Sequence, residues 1–242
     1  MRLHAFIAGT TNSGSGLLRG LLAQHPAVST LPKEGHHYSR VLPRDRGPKT
    51  KRLFALYPKK FCMTERDVAT RDVARLRNAF YRKWDRNREV LLEKSPHNAL
   101  RLRFMNAVFV PAIFICLVRD GYAVAEGLRR RRGHDIARCA RQWREANRIM
   151  RDDAAQVRHL VVRYEALVAE PQASVDRILA ELGLASVPVD LSAPVRRQNM
   201  YGRPFPLGRH PDFDAESRAR LTPNDRRIIR REAGGMLDVY GY

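Results

Sequence analysis

The chain has 242 residues, 44% of them hydrophobic and 29% charged, which is enough to bury a core and too apolar for a disordered segment. Its net charge of +20 calls for an anionic partner such as nucleic acid, a membrane surface or a multiply charged small molecule, unless the arginines only record a coding bias. Its 3 cysteines are widely spaced and form no C-x-x-C pair or Cys/His finger, which argues against a disulfide framework and a zinc module; with no secretory leader and no apolar run of about 18 residues, the expectation is a soluble, cytoplasmic protein.

In chain order, "HAFIAG" (4–9) reads as a buried strand. A turn rich in Gly and Ser follows, then an amphipathic helix over 15–24 with Leu17, Leu18, Leu21 and Leu22 on one face. Residues 35–61 are basic, contain prolines and have weak periodicity, so they are expected to form a long surface excursion. A long charged helix is expected over 65–84, with Val68, Val73, Leu76 and Phe80 as its buried stripe. Strands follow at "VLLEK" (90–94), "AIFICLV" (112–118) and "HLVVRY" (159–164), separated by helices over 97–106, 123–131 and 136–154. Pro171 opens a further helix that Gly183 ends, and residues 185–213 read as a second long loop. Continuous apolar runs suit parallel strands covered on both faces. The alternation predicts an α/β three-layer sandwich with a mostly parallel central sheet, one domain over 1–242. Ligands of such sheets bind beyond the carboxyl ends of the strands, which directs attention to the residues just after each one.

After the first strand comes Thr10-Thr11-Asn12-Ser13-Gly14-Ser15-Gly16. The glycines and the following helix N-terminus would suit an anion, but the lysine of the G-x-x-x-x-G-K-[ST] nucleotide loop is missing. An ordinary turn capped by Ser13 or Ser15 is the alternative. "EKSPHN" brings Glu93, Lys94 and His97 to a strand end, either to converge on a reacting group or as a surface end with a capping serine. "VRDGYAVAEGLRRRRG" sets Arg119 at the sheet rim and Arg131 about three turns along the next helix, a pair suited to a phosphate; Arg129, Arg130 and Arg132 fit a solvated run better. Tyr164 either stacks on a base or closes the core.

The order of these blocks resembles the sulfotransferases that use 3′-phosphoadenosine 5′-phosphosulfate (PAPS). The family's first loop, G-x-x-[R/K]-S-G-T-T-L-L, is similar to Gly9 through Leu18. Its R-D-G block, its E-K-[ST]-P-x-N strand end and its YE-x-L-V-x-x-P…L-G-L segment are similar to "LVRDGYAVAEGL", "EKSPHN" and "YEALVAEPQASVDRILAELGL". The match spans roughly 5–34, 90–132 and 159–184, and its layout is closest to bacterial members and the protein-tyrosine sulfotransferase branch. The resemblance implies a P-loop-like sulfotransferase fold, PAPS as donor with adenosine 3′,5′-bisphosphate as product, no metal, and a hydroxyl acceptor of unknown identity. In that reading Glu34 is the general base, Lys94 stabilises the sulfonate, and His36, His37 and His97 are rival bases. Thr11, Asn12, Ser13, Gly14, Ser15 and Gly16 cradle the 5′-phosphosulfate, Arg119 and Arg131 hold the 3′-phosphate, Tyr164 lies near the adenine, and Arg196 or Arg197 closes over the 3′-phosphate. Two positions depart from the pattern: Asn12 stands where relatives have an arginine or lysine, and Gly127 where they commonly have a serine.

The rival readings are a P-loop phosphotransferase, which would need a substitute for the lysine and for the metal-binding Ser/Thr replaced by Gly16, and a basic polyanion-binding protein with a degenerate PAPS site. Nucleic acid is disfavoured as a partner, because no helix-turn-helix, finger or aromatic-basic interleaving accompanies the charge. The basic surface would equally suit an anionic acceptor. Oligomeric state is not legible.

Overall fold

The computed structural model describes residues 2–45, 47, 52–192 and 213–242. Five strands, β1 (Leu3–Gly9), β2 (Val28–Thr30), β3 (Val90–Lys94), β4 (Ala112–Val118) and β5 (His159–Arg163), form one wholly parallel sheet in the order β2-β3-β1-β4-β5. Helices α1 (Ser15–Leu22), α2 (Pro58–Phe61), α3 (Val73–Tyr81), α4 (Leu102–Val108), α5 (Gly121–Arg132), α6 (Ile136–Ala154), α7 (Tyr164–Ala169), α8 (Pro171–Glu181), α9 (Phe213–Ala219) and α10 (Pro223–Tyr240) accompany it.

Alternate residues of each strand serve two cores. Ala5 and Ile7 of β1 pack with Leu17, Leu18 and Leu21 of α1 and Ile178 of α8. Phe6 and Ala8 point the other way, into a larger layer with Phe104, Trp143 and Leu237. Each such fully buried large apolar side chain contributes about 2 kcal/mol. The expected three-layer α/β sandwich is present, and its register aligns the strand ends. Ile7 pairs with Lys94, Gly9 with Leu117, and Val118 with Arg163. The segments after β1, β3, β4 and β5 therefore leave the sheet at one edge, on either side of the point where the strand order reverses at β1.

Four local expectations change. The described residues of 35–61 do not form a mere surface excursion: Val41, Leu42, Leu53, Phe54 and Phe61 are buried in the larger core, and the Ala55 amide donates to Gln142 Oε1 at 2.8 Å. Scattered apolar anchors without a period concealed this. The helix expected over 65–84 is a 3₁₀ segment, Glu65–Thr70, followed by α3, because Asp72 caps the Arg75 amide at 2.9 Å and starts a new helix. The helix expected over 97–106 is likewise split at Arg101, whose φ of −155° is not helical, into a 3₁₀ turn Pro96–Leu100 and α4. Finally, β5 is an edge strand and not covered on both faces, with Val161 42% exposed. The C-terminal pair α9 and α10 was not anticipated; α10 begins at a capping box in which Thr222 and Asp225 exchange bonds and Pro223 takes the first turn. Of the second loop, 193–212, with Arg196 and Arg197, lies outside the described residues.

Candidate active site

The turn after β1 is held open by close packing. A Cβ at Gly9 would lie 2.6 Å from the Leu117 carbonyl oxygen, and one at Gly14 would lie 2.3 Å from the Tyr164 ring. Gly14 also has φ +90°, which side-chain-bearing residues rarely adopt. Gly14 is the N-cap of α1 and gives it no side-chain cap, so neither Ser13 nor Ser15 acts as a conventional cap there. Instead, the hydroxyls of Thr10, Thr11 and Ser13 are buried with no partner, as is Asn12 Nδ2. Ser15 and Gly16 form the first turn of α1, whose amides and positive dipole end face this opening. Unsatisfied buried donors around a helix N-terminus fit a multiply charged phosphate group.

At the end of β3, Lys94 Nζ donates to Glu34 Oε1 at 2.9 Å, joining the two residues expected to act on the reacting groups. Burial pushes the Glu34 carboxyl up, but Lys94, by charge and hydrogen bond, with His36 and Arg52, holds it below the ordinary carboxylate value. Glu93 does not join them, since successive strand residues face opposite ways. It is wholly buried, and accepts from the Gly35 amide at 2.8 Å and from Asn98 Nδ2 at 2.6 Å. Asn98 Nδ2 also donates to the Ile7 carbonyl at 3.1 Å, and Asn98 Oδ1 accepts from Arg101 Nε at 3.1 Å. Consecutive residues 34 and 35 are thus fastened to consecutive residues 94 and 93, and the same network ties them to β1. Ser95 does not cap the turn that follows.

His97 is only 6% exposed, with neither ring nitrogen hydrogen-bonded. It packs among Phe54, Phe61 and His36, at ring distances of 4.3, 5.6 and 5.2 Å. Burial, then the Arg101 charge, keep it well below the usual imidazole range, and the same two causes, opposed by Glu34, bring His36 down to about 4. Glu34, His36 and His97 bring three potential ligand atoms within 4.8 Å of one another. Lys94 binds Glu34 Oε1, while Oε2 lies 3.7 Å from His36 Nδ1.

Beyond β4, Arg119 Nη1 donates to the Asn12 carbonyl at 2.8 Å and Arg131 Nη1 to Asn12 Oδ1 at 2.9 Å. The two predicted phosphate arginines therefore meet on one residue of the loop. Arg119 lies 4.0 Å above the centre of the buried Tyr164 ring and forms a two-nitrogen ion pair with Asp214 of α9, through Nε at 2.7 Å and Nη2 at 2.5 Å. Asp120 caps α5 by accepting from the Tyr122 amide at 2.9 Å. Arg129 and Arg130 pair away from the loop, with the buried acids Asp225 and Glu126. Gly127 faces the loop, and a Cβ there would lie 3.4 Å from Asn12 Nδ2.

Sequence reasoning missed three contributors. Asp214 lies in α9, a helix the sequence reading did not anticipate, and Asn98 and Arg101 act through Glu93, a relation that no spacing encodes.

Among relatives of known sequence, the chain is 27% identical over 175 residues to the omega-hydroxy-beta-dihydromenaquinone-9 sulfotransferase Stf3 of Mycobacterium bovis, covering 65% of this chain and 42% of that protein. It is 27% identical over 195 residues to the protein-tyrosine sulfotransferase 2 of Gallus gallus, covering 74% of this chain and 51% of that one. The chain thus spans about half the length of these relatives or less. Two solved structures share the fold. The sulfotransferase domain of the Synechococcus PCC 7002 olefin synthase has a TM-score of 0.64 at 23% identity, over 100% of this chain and 95% of that one. The sulfotransferase domain from the curacin biosynthetic pathway has a TM-score of 0.57 at 20% identity, over 96% and 97%. With residues 5–188 matching the model of the sulfotransferase family, the chain belongs to that family.

Proposed function

We propose that the protein transfers a sulfuryl group from PAPS to a hydroxyl acceptor. The observation that carries this reading is the meeting of three features at one sheet edge: a loop of unsatisfied buried donors, the Glu34–Lys94 pair, and two arginines converging on Asn12. PAPS supplies an activated sulfonate whose sulfur–oxygen bond to the 5′-phosphate breaks as the acceptor oxygen bonds to sulfur. The chain's own part is positioning and electrostatics. The amides of residues 13–16 and the hydroxyls of Thr10, Thr11 and Ser13 bind the 5′-phosphate end, and Arg119 and Arg131 the 3′-phosphate. Glu34 takes the acceptor proton. Its pairing with Lys94 keeps it ionised beforehand, and when Lys94 turns to a neighbouring anion, Glu34 becomes a stronger base. His97, neutral and enclosed by aromatic rings, is less suited to that role. Tyr164 supports the loop from beneath and closes the adenine side. No step calls for a metal ion.

The first experiment is thermal denaturation with adenosine 3′,5′-bisphosphate at millimolar concentration, expected to raise Tm. Stabilisation by ATP with magnesium in its place would favour a phosphotransferase, and tight, salt-sensitive polyanion binding without either effect a binding protein. Transfer from radiolabelled PAPS to peptides, carbohydrates and small hydroxylated metabolites then identifies the acceptor class. No helix among the described residues is long and apolar enough to cross a membrane.

A further inference from the structure

The family resemblance calls for a cation at position 12 and a serine at position 127, and the fold sets these two departures face to face. A Cβ on Gly127 would stand 3.4 Å from Asn12 Nδ2. The orientation of that amide is fixed by its neighbour. Arginine has only donors, so the atom 2.9 Å from Arg131 Nη1 must be the Asn12 oxygen, and Nδ2 is the atom left facing Gly127. Nδ2 is buried and has no hydrogen-bond partner, a costly condition for a donor unless a ligand supplies the acceptor. The backbone holds it there: Asn12 is left-handed, with φ +68°, and its carbonyl accepts from Arg119 Nη1 at 2.8 Å.

We infer that Asn12 is a ligand of the donor's 3′-phosphate, giving from Nδ2 the hydrogen bond that a serine would give from position 127. The inference rests on the donor reading above and assigns Asn12 within it. Its carbonyl and its side-chain oxygen accept from both arginines of the 3′-phosphate pair, which sets it on their side of the loop. Gly127 leaves the space the amide uses. The sulfonate is then met by Lys94 and the loop amides, with no contribution from position 12.

Calorimetric titration with adenosine 3′,5′-bisphosphate, and competition with AMP, which lacks only the 3′-phosphate, tests this. Asn12→Gly keeps the left-handed backbone and removes the amide. It should weaken bisphosphate binding about tenfold, the worth of one hydrogen bond to a charged group, and leave AMP binding unchanged. Adding Gly127→Ser should restore most of the loss, whereas Gly127→Ser in the wild type, where the amide already makes that bond, should add little; an equal gain in both backgrounds would leave Asn12 a merely structural anchor of Arg131. Asn12→Asp keeps an oxygen toward Arg131 but turns the donor into an acceptor, and should weaken the bisphosphate further than Asn12→Gly. An unchanged ratio of the two affinities in Asn12→Gly, or an equal loss of both, overturns the assignment while leaving the donor reading in place. A wild-type protein that ignores the bisphosphate overturns both.

Discussion

Lys94 holds Glu34 in its ionised form before any hydroxyl arrives, which makes the pH behaviour of the proposed reaction specific. A general base works deprotonated, and Glu34 titrates below the ordinary carboxylate value, so turnover should fall only as pH drops through that lowered value. Lys94→Met removes the charge and hydrogen bond that oppose burial. The acid limb of kcat should then move to higher pH, alongside a fall in turnover of about 10²-fold or more. Glu34→Gln should lose turnover to a similar extent while adenosine 3′,5′-bisphosphate still raises Tm. Near-normal turnover in Glu34→Gln with loss in His97→Ala would transfer the role of base to His97. Lys94 and Glu34 were legible as residues from the strand end and the family layout. Their 2.9 Å contact was not, because it depends on how a loop 60 positions away returns to the sheet.

Among the elements, the loop between β1 and α1 was the most legible, since glycines, hydroxyls and a following amphipathic face carry their meaning locally. Gly14→Ala combines a left-handed φ with a 2.3 Å approach to Tyr164, and should cost a few kcal/mol of stability and abolish bisphosphate binding, read by denaturation and calorimetry. The β3 end was half legible. "EKSPHN" marked a functional place, but only burial reveals that Glu93 and Asn98 hold Gly35 and leave the chemistry to the neighbouring residue. Glu93→Gln presents an amide donor to Asn98 Nδ2; turning Asn98 over would relieve that clash but break its bonds to Ile7 and Arg101. Turnover should fall with the acid limb of kcat shifted upward, as Glu34 drifts from Lys94, while bisphosphate affinity is retained. The helix α9 was illegible, and its Asp214 occupies the guanidinium assigned to the 3′-phosphate. Burial raises the Asp214 carboxyl against the pull of Arg119, so lowering the pH neutralises it earlier than an ordinary aspartate. Asp214→Asn should therefore bind the bisphosphate several-fold more tightly at neutral pH, and the advantage should shrink as pH falls.

For the molecule as a whole, the charge of +20 predicted an anionic partner without saying where. The fold divides the arginines into those spent on local acids, as in Arg129–Asp225 and Arg148–Glu145, and those gathered at the sheet edge. Long-range attraction should still speed the approach of a polyanionic donor. The association rate of the bisphosphate, followed by stopped-flow, should fall as salt is raised from about 0.05 to 0.5 M, and that of uncharged adenosine should not. The parallel sheet was legible because its strands are short, apolar and separated by helical patterns. The burial of Val41, Leu42, Leu53, Phe54 and Phe61 was not, because these anchors lack a period.

The tether at Gly35 has a consequence for redesign. Glu93 grips the loop by a main-chain N–H, and the only side-chain demand at that point is for none at all, since a Cβ would strike Phe80 at 2.3 Å. A clasp of that kind is indifferent to the letters downstream of it. The clasp keeps Glu34 opposite Lys94 whatever compatible packing follows it, so the stretch after Gly35 is open to exchange on condition that His36 and Arg52, whose charges also bear on Glu34, are kept.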